Sequence, residues 1–256
     1  MILGEWSKLA KRLEDSLRLR TFPVAIKLFE NVEEMEKIEK LKKLDFKPTL
    51  FQMIGLARVY GWTMGATVED FISPSCAAII GLCELSEIFS KGTLYLGLWH
   101  GKEEDAQKKG ESIVTIPAGK YKAVAIGPLS RERFEPDIVI IYGNPAQMQR
   151  IINGLQWEDY EPFQFFHVGE TGCGDSIARC YITKKPSLSI PCYGERRYGY
   201  AMDDELNIAI PSEMIEKLIR GMDGLQRSGI RYPIPCFGME ADQSPGIMGI
   251  ITYKHD

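Results

Sequence analysis

One segment of this chain occurs twice. Pro23 opens an apolar run, Val24 to Phe29, that ends at Asn31 and is followed by Met35 and Ile38. Pro136 opens a second run, Ile138 to Tyr142, that ends at Asn144 and is followed by Met148 and Ile151 at the same spacings. Further on, Cys76 and Cys83 are matched by Cys173 and Cys180. An ordered series that keeps register inside elements and gains residues between them points to a tandem duplication. The shared unit reads as strand–helix–strand–Cys-helix–strand. The expected fold class is therefore α/β (mixed α+β), with two pseudo-symmetric lobes and mixed sheets. Residues 1–130 would form the first lobe, with an N-terminal helix, and residues 131–256 the second, packed as one compact unit.

Local signals fill in the unit. The two apolar runs are rich in Val and Ile, as buried strands are. Asn31 and Asn144 sit at helix N-cap positions, with Glu34 and Gln147 three residues on, so both copies carry a capping-box pattern. Strands are expected at Trp62 to Val68, Thr93 to Leu98, Gln164 to Val168 and Ser187 to Ile190, and a helix at Leu50 to Tyr60. Pro211 is expected to open a helix whose apolar face carries Met214, Ile215, Leu218, Ile219 and Met222. Leu3, Trp6, Leu9, Leu13 and Leu17 recur at helical spacing near the start, so an amphipathic helix is expected there and not a secretory signal.

Composition narrows the function classes. The chain has 256 residues and a net charge of −4, with its basic residues scattered. Nothing resembles a nucleic-acid footprint. No apolar run approaches the roughly 20 residues of a membrane span. Six cysteines over this length are too sparse for a secreted disulfide scaffold, so a cytoplasmic location and free thiols or metal ligands are expected. The candidate partners are a small molecule, a redox partner, or a second copy of the chain in a homo-oligomer.

The cysteines carry the candidate chemistry. Cys173 lies in the turn Gly172, Cys173, Gly174, Asp175, which enters a helix. Such a turn aims backbone N–H groups at an anion and is expected to lower a thiol pKa. Cys76 has a comparable place after Ser73, Pro74 and Ser75. In a helix, Cys76 and Cys83 would stand about 10 Å apart along the axis, as would Cys173 and Cys180. That is too far for a disulfide, so Cys83 and Cys180 are expected in the core. Cys192 and Cys236 share the frame Ile-Pro-Cys-aromatic-Gly at a strand end. Cys76, Cys173, Cys192 and Cys236 are thus four loop-type thiols that could hold an iron–sulfur cluster or a zinc ion. They contain no Cys-x2-Cys pair, and each could equally be a small packed residue.

A second reading uses charge. Glu195, Arg196 and Arg197 follow Cys192, and an arginine pair could grip a carboxylate or phosphate beside the Gly172–Asp175 turn. Asp203, Asp204 and Glu205 could pair with those arginines. His167 precedes Cys173 and could serve a thiol enzyme as its base. A third reading makes the protein structural or interaction-forming, with cysteines that only pack.

The runs Tyr142 to Met148, Gly172 to Asp175, Leu188 to Arg196 and Asp203 to Glu205, with Arg20 to Val24 and Cys76, resemble the uncharacterised ArCR family of archaea and bacteria. The resemblance implies thiols at the places of Cys76, Cys173 and Cys192. It implies none at Cys83, Cys180 or Cys236, and it carries no established activity.

Overall fold

The chain is described as a computed structural model covering residues 4–131 and 133–234. Its centre is one six-stranded sheet: β1 Val24–Phe29, β2 Met64–Thr67, β3 Ala123–Pro128, β4 Ile138–Gly143, β5 Ser187–Ser189 and β6 Leu206–Pro211. The spatial order is β2-β3-β1-β4-β6-β5. Every pairing is antiparallel. The mixed α/β class holds, but the expected separate mixed sheets are replaced by one antiparallel sheet to which both halves contribute.

The helices are α1 Glu5–Leu17, α2 Val32–Glu36, α3 Leu50–Tyr60, α4 Pro74–Ile79, α5 Glu87–Ser90, α6 Glu103–Glu111, α7 Pro145–Leu155, α8 Arg179–Thr183, α9 Tyr193–Tyr198 and α10 Ile215–Arg227. They cover the sheet on both faces. On one face Ala25, Val139, Ile141, Ile208 and Ile210 pack against α1, α7 and α10. On the other, Val24, Ile26, Ile138, Ile140 and Tyr142 pack against α3, α4 and the helical segment that holds Cys173. Strands buried on both faces read as continuous apolar runs, which is why β1 and β4 are visible in the sequence.

Several expectations change. Asn144 caps α7 with a reciprocal capping box, its side chain accepting from Gln147 N–H at 2.9 Å. Asn31 makes no such bond, and α2 is only one turn long. The stretch Thr93–Tyr95 is a 3₁₀ turn, and 164–168 lacks regular structure. Pro211 closes β6, and the helix begins later, at Ile215. Two strands, β3 and β6, pair with β1 and β4 although the sequence reading did not single them out. The strand beyond β3 precedes its cysteine segment, whereas the strand beyond β6 follows its own, so the two halves do not share one element order.

Candidate functional site

Three of the four thiols that the sequence placed in loops sit at helix starts. Cys76 is in the first turn of α4, which begins at Pro74. Cys173 begins the segment that runs through a π-turn, Gly174–Ala178, into α8. Cys192 is the N-cap of α9. Cys76 and Cys192 are both close enough to act electrostatically on Cys173. A residue of the first half of the chain is thereby brought near two of the second.

The Glu195 N–H caps the Cys192 side chain. Backbone N–H groups near each sulfur favour its charged form: Glu195 and Gly172 at Cys192, Gly174 at Cys173, and Leu50 of α3 at Cys76. These are the unpaired donors of helix first turns, directed where negative charge would collect.

Glu195 binds the cysteine turns together. Its carboxylate accepts from Cys192 N–H at 3.1 Å, from Tyr142 Oη–H at 2.7 Å and from Asn207 Nδ2–H at 3.0 Å. Tyr142 and Asn207 are register partners on β4 and β6, so the antiparallel pairing itself presents both donors. A Cβ on Gly172 would overlap Glu195 Oε2, and one on Gly174 would come within 2.8 Å of the Val114 carbonyl. Glycine at these two positions lets the turn pass close to its neighbours.

Asp175 is fully buried. Its Oδ2 accepts from Val168 N–H at 3.1 Å and faces His167 Nδ1 at 3.0 Å. Its Oδ1 has no partner among the described residues, nor has Thr171 Oγ1. His167 therefore turns to Asp175 and gives Cys173 no base. Two groups the sequence did not mark also flank the thiols. Tyr95 is buried, its hydroxyl pushed up to about 12 by burial and then by the charges of Cys173 and Cys192. Lys109 of α6 reaches the Val168 carbonyl at 3.3 Å, its pKa lowered by burial despite the nearby Asp175 and Glu170 charges. Only an amphipathic reading of 103–111 could have found Lys109, and α6 is too polar to show one.

The thiols do not titrate as expected. Burial drives Cys173 well above the ordinary thiol value, with the Cys192 and Cys76 charges adding to it. Burial pushes Cys192 up to about 12 and also raises Cys76. The donors at the helix starts oppose this shift but are outweighed, because desolvation and like charge both disfavour a thiolate. In this form the cysteines are neutral thiols, unsuited to be nucleophiles. Among the described residues, no group of three or more His, Cys, Asp or Glu is drawn together closely enough to hold a metal ion.

The remaining candidates fall elsewhere. Arg196 donates to the Met202 carbonyl at 2.5 Å and lies 3.6 Å from Asp203. Arg197 donates to Tyr193 Oη at 2.7 Å and stacks near Tyr198. Both make these contacts within residues 193–203 of their own segment, and none is made to the Gly172–Asp175 turn among the described residues. Asp204 pairs with Arg20 at 2.8 Å and Glu205 with Arg58 at 2.6 Å. Cys180 is fully buried, as expected. Cys83 is only half-buried and lies past the end of α4, its Sγ donating to the Pro74 carbonyl at 3.4 Å, so it is no core residue. Cys236 lies outside the described residues.

The fold and site together define an α/β protein with two buried thiols, Cys173 and Cys192, and a half-buried one, Cys76, at helix starts. The chain belongs to the family described as Uncharacterised ArCR, whose model matches residues 12–221. It is similar to an uncharacterised protein of Methanocaldococcus jannaschii, 27% identical over 225 residues that cover 87% of this chain and 96% of the relative. No solved structure matches it. Among the described residues no helix is long and apolar enough to cross a membrane.

Proposed function

We propose that the protein is a cytoplasmic iron–sulfur protein whose cluster is held by Cys76, Cys173 and Cys192. The observation that carries this reading is that Cys76 and Cys192 both lie near enough to Cys173 to act on it electrostatically, each of the three at a helix start. Hydrogen bonds to sulfur and the positive ends of helices stabilise an anionic thiolate cluster and tune it.

Among the described residues no group of three closes tightly enough for a single ion, so a multinuclear cluster is the reading preferred over a single zinc ion. Bonds of about 2.3 Å at tetrahedral angles need sulfurs roughly 3.8 Å apart. Thiols that share a neighbourhood without closing on one point suit a larger, multinuclear group. Three thiols leave one position for a non-thiol ligand, a small-molecule substrate or Cys236. When bound, such a cluster supplies electron transfer or Lewis-acid chemistry. The protein's own contribution is to exclude water, to orient the sulfurs through Glu195 and to place Lys109 and Tyr95 at the rim.

Anaerobic purification tests the proposal. Brown protein with a broad band near roughly 400 nm, bearing iron and acid-labile sulfide, is expected, and Cys173→Ser should lose all three. Colourless protein free of iron and sulfide, from a preparation supplied with both, would overturn it. Stoichiometric zinc without sulfide would replace the cluster with a single-ion site.

A further inference from the structure

A second site lies on the far side of the Cys173 helical segment. A cavity of about 760 Å³ opens between the irregular stretch around Phe163–Phe166, the end of α8 and the start of α10. Its size is that of small-molecule sites. It shares no lining residue with the thiol cluster.

Its wall is aromatic. Phe163, Phe165 and Phe166 line it, and Phe165 and Phe166 are each 51% exposed. Adjacent phenyl rings left half in water on an irregular segment are not needed for the core and supply apolar surface for a partner.

Its charges are unequal. Lys185 is neutralised by Glu161, and Lys217 by Asp159 at 3.1 Å. Arg179 and Lys184 also line the cavity and make no ion pair among the described residues. The Arg179 guanidinium lies 4.7 Å from the Phe166 ring centroid, and its Nε is buried without a hydrogen-bond partner. Asp175, one turn back, acts on Arg179 electrostatically but is held by Val168 and His167. Lys184 stacks over Tyr181 at 4.1 Å. An arginine backed by an aromatic ring, with its donor edge unused, is preorganised for a planar oxyanion.

We propose that this cavity binds a small aromatic oxyanion. Its carboxylate or phosphate is held by Arg179 and Lys184, and its ring lies against Phe163 and Phe166. The inference does not depend on the thiol cluster.

Calorimetric titration of the full-length protein with benzoate, phenyl phosphate, inorganic phosphate and benzyl alcohol tests it. At least one aryl anion should bind, and more tightly than inorganic phosphate or the neutral alcohol. Arg179→Gln should weaken that binding about ten- to hundredfold, the cost of a charged hydrogen bond. Arg179→Lys, which keeps the charge and loses the fork, should also weaken it, and Phe166→Ala should weaken the aryl anion while sparing inorganic phosphate. Arg196→Gln should bind as the parent does, and unchanged melting temperatures would show that the variants fold. Benzoate preferred over phenyl phosphate, or the reverse, identifies the oxyanion. No aryl-anion binding would overturn the proposal. So would binding that is equal for inorganic phosphate or unaffected by Arg179→Gln.

Discussion

At the residue scale, the six cysteines divide by surroundings, and spacing alone misses part of the division. Cys180 has no donor array and packs in the core, whereas Cys173 shares its neighbourhood with two other thiols. Replacing Cys180 by Ala should cost about 1–2 kcal/mol of stability in denaturant unfolding and leave any chromophore intact. Gly172→Ala should do the opposite. Its Cβ would displace the Glu195 carboxylate that caps Cys192, so metal content should fall more steeply than the melting temperature. Equal metal content in both variants would remove Glu195 and Gly172 from the site. The sequence marked Gly172, Cys173 and Glu195, but it took the helix entry to lower the thiol pKa. Burial and neighbouring thiols reverse that sign, and neither is visible from local sequence.

At the element scale, α7 and α10 pack through glycine. A Cβ on Gly221 would run into the backbone of Gly154, whereas a Cβ on Gly154 meets mostly the flexible side chains of Met222 and Leu218. Backbone cannot yield as a side-chain tip can. Gly221→Ala should therefore cost about 1–3 kcal/mol, more than Gly154→Ala, measured as a lower denaturation midpoint at unchanged slope. The apolar stripe of α10 was legible in the sequence, but its partner was not. The strand ending at Pro211 was likewise hidden, because a proline at a strand end looks like a proline at a helix start. The short helices around the site were obscured for a related reason. Their formation depends on tertiary packing more than on local propensity.

At the scale of the whole molecule, the two halves of the chain are joined by a buried ion pair as well as by the sheet. Arg58 of α3 is 1% exposed and Glu205, just before β6, is 3% exposed. They meet at 2.6 Å, and the Arg58 guanidinium lies 4.0 Å from the Tyr142 ring centroid, next to the hydroxyl that donates to Glu195. Arg58→Met should cost about 3–5 kcal/mol, because it leaves the buried Glu205 carboxylate only Met202 N–H at 2.9 Å and the exposed Arg20 at 4.0 Å. The double variant with Glu205→Gln should recover part of that loss. A single variant as stable as the parent in urea unfolding would show that the pair is not needed to join the halves.

The sequence by itself determined the mixed α/β class, the two central strands, the capped helix after β4, and which thiols could matter. Each of these is written in a local pattern: a run of Val and Ile, Asn with Gln three residues on, cysteine beside glycine or proline at a helix start. Only the tertiary structure decided that the halves share one antiparallel sheet, since strand partners are chosen by burial of whole faces and not by neighbours in sequence. It alone brought Cys76 near Cys173 and Cys192, engaged Arg196 and Arg197 within their own segment, and added Tyr95 and Lys109. It also left Arg179 unpaired in an aromatic cavity. Convergence of distant residues, and the desolvation that follows from it, are properties of the packed chain that no short stretch of sequence contains.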